Sequence, residues 1–441
     1  MSAIRVMIVD DAVVVRKLVS EALSADADIE IAATAPNGKV ALDKLTQVQP
    51  DLVVLDVEMP IMDGIATLTA LRATHPKLPV VMFSTLTERG AKVTMDALMR
   101  GANDYVHKPA NVGSVTKAQT AVREALVPKI KALAGRPKRT APAPKRTRPD
   151  ALTTPADRID LVVIGVSTGG PAALAQIVPA LPKALAAPVL ICQHMPPTFT
   201  QLLANRLDSA SPLHIAEARD NAPLTPGQVR IAPGDWHLEA RVRGGALVTK
   251  THQAPPENSC RPAVDVLFRS AAKATEARTL GVVLTGMGSD GALGSRQIRE
   301  AGGKILIQDR STSVVWGMPG AVAELKLASG TLPVEEIAEA IATVVGTGTP
   351  GAPGAAQGTT SQEHSGDSQG QGGATLGGTR TGTAGASGSR SRAGSGSQGS
   401  DEDTAARPGA VRSSPARPRP SARPPGRTPH TRTRSRQGGR P

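Results

Sequence analysis

The sequence predicts an α/β protein with two parallel-sheet domains in series, and three observations predict it. Residues 1 to about 127 alternate short β-rich apolar runs with helical patterns, which is the signature of strands joined by crossover helices. The alternation stops in a stretch rich in proline and cations, then resumes from Ile159 to about Val345. At 441 residues the chain is also too long for one typical core.

In chain order the first region reads IRVMIVD, VVVRKLVSEALS, IEIAATA, GKVALDKLTQ, DLVVLDV, GIATLTALRAT, PVVMFST, AKVTMDALMRG, DYVHKPA and a last helix near 114 to 127. Five strands alternating with five helices specify a parallel sheet covered on both faces. Residues 128–157 are expected to form an extended basic linker that buries no core. In the second region, 158–346, the clearest strands are DLVVIGV, APVLICQH, TLGVVLTG and GKILIQD. The middle, including GQVRIAPGDWHLEA and ALVTK, reads as hairpin strands, so the expected architecture is doubly wound and mostly parallel with a β-rich insertion. Residues 347–441 are Gly, Ser, Thr, Pro, Ala and Arg for the most part, lack aromatic residues, and are expected to be disordered.

The net charge of +13 invites a nucleic-acid reading, but its distribution argues against one. Residues 348–441 hold 13 arginines against 5 acids and residues 128–150 hold 8 cations against 1, so the remainder is slightly acidic. PKRTAPAPKRTRP interleaves its cations with proline and is followed by no aromatic platform or recognition-helix pattern. Two cysteines far apart, Cys192 and Cys260, give no disulfide framework and suit a reducing compartment. No apolar run approaches the ~18 residues a membrane span needs, and Asp10 and Asp11 arrive before any signal-peptide core. A soluble cytoplasmic protein with no nucleic-acid partner and no membrane insertion is expected.

The first chemical constellation lies at strand ends, where ligands gather in open parallel sheets. Asp10 and Asp11 end the first strand, Asp56 the third and Ser84 the fourth, and Lys108 follows the fifth. Packed carboxylates repel unless a hard dication screens them, and few ligands with retained waters suit Mg²⁺. A carboxylate so screened can attack a phosphoryl group, and a lysine can then pair with the phosphoryl oxygens. MIVDD, VVLDVEMPIMDG, VVMFST and DYVHKP resemble a two-component receiver domain over residues 3 to 125. That resemblance implies a flavodoxin-like (βα)5 fold, Asp56 as phosphoacceptor, and Asp10, Asp11 and the Glu58 backbone carbonyl as further Mg²⁺ ligands. It also implies Lys108 as the phosphoryl partner and Ser84 with Tyr105 as the pair that reorients on phosphorylation.

The second constellation centres on Gly165-Val166-Ser167-Thr168-Gly169, a G-x-S-x-G segment between a strand and a helix. Glycines flanking the serine are expected to let the backbone turn sharply and project Oγ, with the Thr168 N–H placed at a helix N-terminus to stabilise an oxyanion. GVSTGG fits neither a dinucleotide fingerprint nor a P-loop. A serine nucleophile needs a base, and the base needs an orienter. His194 follows APVLICQ and Asp290 follows LGVVLTGMGS, both on the rim that carries Ser167. Asp290 is alternatively a cap for the helix GALGSRQIREAG, a role hard to combine with orienting His194. His214, His237 and His252 read as surface or core residues.

GVSTGGPAAL, CQHMPPTFT, RPAVDVLFRSAA, VVLTGMGSDGALG and VVWGMPGA closely resemble the catalytic domain of the CheB family of chemotaxis protein-glutamate methylesterases, in which a receiver precedes the esterase. The resemblance implies that Ser167 attacks the γ-methyl ester of a methylated chemoreceptor glutamate while His194 relays the proton and Asp290 orients it. It further implies backbone oxyanion donors at Thr168 and Met287, deamidation of receptor glutamines, a chemotaxis histidine kinase as phosphodonor, and no cofactor in the esterase site. Cys260 stands where a histidine would be unsurprising; it is expected to be a small buried hydrophobe, with a reactive thiol near the cleft as the alternative. An unphosphorylated receiver is expected to cover the esterase cleft. A general serine esterase or amidase with another substrate is the alternative, because an elbow and triad fix the reaction class and not the acyl group.

Overall fold

The computed structural model describes residues 3–85, 87–109, 113–135 and 158–346, which fall within one compact unit. The first region forms β1 (Ile4–Val9), α1 (Val13–Ser24), β2 (Ile29–Ala35), α2 (Gly38–Val48), β3 (Leu52–Asp56), α3 (Gly64–Thr74), β4 (Val80–Ser84), α4 (Glu88–Met99), β5 (Asp104–His107) and α5 (Val115–Ala134). The five strands pair in parallel in the order β2-β1-β3-β4-β5. β3 and β4 are buried along their whole length because helices cover both faces, which is why they read as unbroken apolar runs. The entries to α2, α3, α4 and α5 are fixed by side chains that accept from the first turn: Asn37, Asp63, Thr87 and Ser114.

The last of these helices departs from expectation. It continues to Ala134, seven residues into the stretch read as linker, with Pro128 inside it. Leu126 and Ile130 are fully buried against the sheet, while Lys131 bridges Asp26 and Asp28 and Lys129 bridges Asp104. Lys129 and Lys131, the first two cations of the expected tether, therefore belong to the polar face of an amphipathic helix. The rest of that linker and the expected disordered tail lie outside the described residues.

The second region forms β6 (Leu161–Val166), α6 (Gly170–Ala180), β7 (Val189–Gln193), α7 (Phe199–Ala210), β8 (His214–Glu217), β9 (Gln228–Ile231), β10 (His237–Arg243), β11 (Ala246–His252) and α8 (Val264–Thr275). It continues with β12 (Thr279–Val283), α9 (Ala292–Glu300), β13 (Lys304–Gln308), α10 (Met318–Glu324), β14 (Gly330–Leu332) and α11 (Val334–Val345). Seven strands run parallel in the order β14-β13-β12-β6-β7-β9-β8. β10 and β11 form the antiparallel hairpin. GQVRI, expected in a hairpin, is thus a parallel strand of the main sheet; its alternating burial reflects a place near the sheet edge. From β6 the chain winds outward through β7 and then returns to β12 on the other side. The carboxyl ends of these three strands meet at that reversal, where parallel sheets open a crevice.

The two glycines of the G-x-S-x-G segment have different duties. Gly169 has φ +80°, a left-handed conformation that ends the turn and starts α6. Gly165 is an ordinary strand residue whose role is proximity: a Cβ there would lie 2.3 Å from Val264 Cγ1, so α8 packs directly on β6. The expected joint role in turning holds only for Gly169. Gly165→Ala should therefore cost about 1–3 kcal/mol through overpacking; an unchanged urea midpoint would show that α8 yields freely.

Candidate functional site

On the rim of the first sheet, Lys108 Nζ lies 2.7 Å from Asp10 Oδ2 and 2.8 Å from Asp56 Oδ2. Asp10, Asp11 and Asp56 offer ligand atoms that all fall within 4.8 Å of one another. Burial raises the Asp56 carboxyl to about 6, with Lys108 opposing and Asp10 adding to the shift. Burial alone would lower the Lys108 ammonium, but its hydrogen bonds to Asp10 and Asp56 outweigh this and leave it raised. Asp10 Oδ2 is buried, with the Lys108 ammonium beside it. Three clustered carboxylates whose only counter-charge at close range among the described residues is one ammonium fit a small hard cation. A cavity of about 260 Å³ opens here, lined by Asp11, Asp56, Glu58, Thr85 and Lys108. Ser84 Oγ accepts from Thr94 Oγ1 at 2.8 Å. Tyr105 faces away from this cavity, stacked on Phe199 of α7 with ring centroids 4.7 Å apart.

On the second sheet Ser167 follows β6, His194 follows β7 and Asp290 lies beyond β12. His194 Nε2 sits 2.8 Å from Asp290 Oδ2. The carboxylate is fixed from several sides: Oδ2 also accepts from Val264 N at 2.7 Å, and Oδ1 from Asp265 N, Gly291 N and Asn258 Nδ2 at 2.9, 3.0 and 2.8 Å. Asp290 thus caps α8, which the sequence did not suggest, and still bonds His194; the expected conflict between capping and orienting does not arise. These contacts hold the Asp290 carboxyl below the usual carboxylate range in spite of burial. Asn258, which ties Asp290 to Asp265, escaped the sequence reading because nothing marks a loop asparagine until α8 and Asp290 are known to meet.

Ser167 and His194 line one cavity of about 410 Å³. Ser167 N donates to Thr285 O at 3.0 Å, and Gly286 packs so closely that a Cβ on it would lie 2.8 Å from Ser167 Cβ. Met287, half-buried, is the next residue along. Among the described residues no hydrogen bond joins Ser167 Oγ to His194. The second ring nitrogen, Nδ1, instead faces Cys260 Sγ at 3.6 Å. Cys260 is only half-buried and touches an imidazole, which corrects its reading as a buried hydrophobe; Cys192 fills that role. Burial would lower the His194 pKa, but Asp290 and Cys260 more than compensate and raise it to about 9.

The first region covers this cleft. Asn103 O accepts from Gly169 N at 3.1 Å, and Thr168 Oγ1 donates to Asp104 Oδ2 at 2.5 Å. Lys129 Nζ lies 2.6 Å from that same oxygen, and Asp96 pairs with Arg206 of α7. His107 joins Tyr105 and Phe199 edge-on with both ring nitrogens buried and unpartnered, and its pKa is lowered by burial and by Lys129.

Comparison with known proteins follows the same division. Residues 6–119 match the response regulator receiver domain model and residues 162–341 the CheB methylesterase model. A protein-glutamate methylesterase/protein-glutamine glutaminase of Nocardioides sp. is 55% identical over 345 residues, covering 76% of this chain and 94% of its own. The chain belongs to the CheB methylesterase family. A CheB relative from Trichodesmium erythraeum, of the same name, is 47% identical over 352 residues, covering 78% of this chain and 100% of its own. The crystal structure of the Thermotoga maritima CheB methylesterase catalytic domain is 44% identical, covers 42% of this chain and 97% of that one, and has a TM-score of 0.41. No helix among the described residues is long and apolar enough to cross a membrane.

Removal of the thiol should return His194 toward its ordinary range. In Cys260→Ala the NMR titration of the His194 C2 proton should move to lower pH, so that the ring is neutral over a wider range. A midpoint left near that of the parent would mean that Asp290 alone raises it.

Proposed function

We propose that the chain is a phosphorylation-controlled serine esterase that hydrolyses glutamate γ-methyl esters on chemoreceptors, releasing methanol, and deamidates receptor glutamines. The observation that carries this reading is the His194–Asp290 hydrogen bond at the sheet crevice beside Ser167, in a chain of this family. Ser167 Oγ attacks the ester carbonyl, His194 takes its proton and delivers it to the departing methoxide, and methanol leaves. Water, deprotonated by His194, then cleaves the acyl-enzyme and frees the glutamate carboxylate. Backbone N–H groups of Thr168 and Met287 are the proposed oxyanion donors. Asp290, already locked by α8, holds the imidazole and stabilises its charged form.

The arrangement described is that of a resting form. His194 with a pKa of about 9 is mostly protonated at neutral pH and its free nitrogen faces Cys260, so it must turn and lose a proton before it can serve Ser167. Asp104, a carboxylate on the Thr168 hydroxyl, stands where a product carboxylate would approach. We assign phosphoacceptance to Asp56. Asp10, Asp11 and the Glu58 carbonyl would hold Mg²⁺ with it, which when bound screens the carboxylates during phosphoryl transfer. Lys108, now shared between Asp10 and Asp56, would turn to the phosphoryl oxygens, and Ser84 and Tyr105 would reorient. Because Tyr105 is stacked on Phe199, any such movement loosens the cover over the cleft. A histidine kinase of the chemotaxis pathway is the proposed donor and the cytoplasm the proposed location.

Ser167→Ala should lower methanol release from methyl-labelled receptor membranes by roughly 10³-fold or more; retained release would remove the serine mechanism. Asp104→Ala should raise the unphosphorylated rate several-fold and blunt the response to a small phosphodonor. Asp56→Asn should keep the parent's resting rate and lose that response altogether. A full phosphodonor response in Asp56→Asn would exclude Asp56 as the switch.

A further inference from the structure

We propose that His194 Nδ1 and Cys260 Sγ form an inhibitory site for a thiophilic divalent cation of the zinc class. Three observations support it. The N···S separation is 3.6 Å. Zn–N bonds of about 2.0–2.1 Å and a Zn–S bond of about 2.3 Å, set at a tetrahedral angle, place the two ligand atoms about 3.5 Å apart. The pair therefore spans a tetrahedral cation with almost no rearrangement.

The second observation is the far side of the imidazole. A metal-binding histidine ordinarily passes its other ring N–H to a carboxylate that fixes its orientation. His194 Nε2 lies 2.8 Å from Asp290 Oδ2, and Asp290 is held by three backbone N–H groups and Asn258. His194, Cys260 and Asp290 offer ligand atoms within 4.8 Å of one another, but the carboxylate oxygens are already engaged, so Asp290 acts as orienter and not as a third ligand.

The third observation is access. Cys260 is half-buried, and with His194 it lines a cavity of about 570 Å³ that also meets Asp235, Arg261 and Pro262. Solvent entering there supplies water for the remaining coordination positions. Binding expels the thiol proton of Cys260 and the Nδ1 proton of the His194 imidazolium to solvent and forms Zn–S and Zn–N bonds; no electron transfer is involved. The imidazole lone pair that would accept the Ser167 proton is then committed to the metal, so the bound form is inactive. Metal capture depends only on this geometry, whereas inhibition rests on the proposed esterase reaction.

Cobalt(II) and zinc added to the metal-free full chain test the two parts separately. Apart from Co²⁺ taken up by the Asp10, Asp11 and Asp56 carboxylates, which gives no sulfur band, one Co²⁺ per chain should give a thiolate-to-cobalt charge-transfer band, which Zn²⁺ displaces. Cys260→Ser and His194→Gln, folded by circular dichroism, should lose the band and bind roughly 10- to 100-fold more weakly, a loss on the scale seen for even the outer partners of a metal ligand. Zn²⁺ should suppress methanol release in the parent and a chelator should restore it, with Cys260→Ser resistant relative to its own metal-free rate. Absence of the thiolate band, equal binding by Cys260→Ser, or a Zn²⁺-loaded chain that works at its metal-free rate would each overturn the proposal. A band in a chain whose metal-free form releases no methanol would sink the esterase reading and leave the binding site standing.

Discussion

The seat of Asp290 on the N-terminus of α8 is the constraint on which the esterase half depends. The carboxylate takes the N–H groups of Val264 and Asp265 that a helix start leaves without partners, so its position is set by backbone and helix dipole. What remains of Oδ2 is aimed at His194. The helix can deliver those donors only because β6 presents Gly165 where any side chain would push α8 away. A packing requirement in the strand before Ser167 thus fixes the acid that steers the histidine after the next strand. Three residues far apart in sequence are coupled through one close helix–sheet contact.

Much of this was legible beforehand, for a physical reason: in parallel sheets the chemistry gathers at strand ends, and strand ends can be read from apolar runs. Asp10, Asp56, Lys108, Ser167 and His194 all stand where their runs stop. The readings that failed concern tertiary partners. Pro128 and the lysines around it suggested a tether, since a helix flank and a basic linker look alike until Leu126 and Ile130 are known to be buried. The strand Gln228–Ile231 looked like hairpin because, one strand in from the edge, it is buried only at alternate residues. For Cys260 the sequence favoured a buried hydrophobe over a thiol at the cleft, because no pattern tells which small residue will face an imidazole.

The cover over the cleft is built from unequal parts. The Tyr105–Phe199 stack is worth about 0.5–1.5 kcal/mol beyond its buried area, and the ion pair of Asp96 with Arg206 is largely exposed and adds little. Against these stands His107, whose buried ring nitrogens find no partner, a cost comparable to a lost hydrogen bond. Two hydrogen bonds, from the Thr168 hydroxyl to Asp104 and from Gly169 N to Asn103 O, complete the contact.

Asp104 has one more implication. Its carboxylate holds the hydroxyl of Thr168, so whatever draws the first region away from the cleft also releases the turn that follows Ser167.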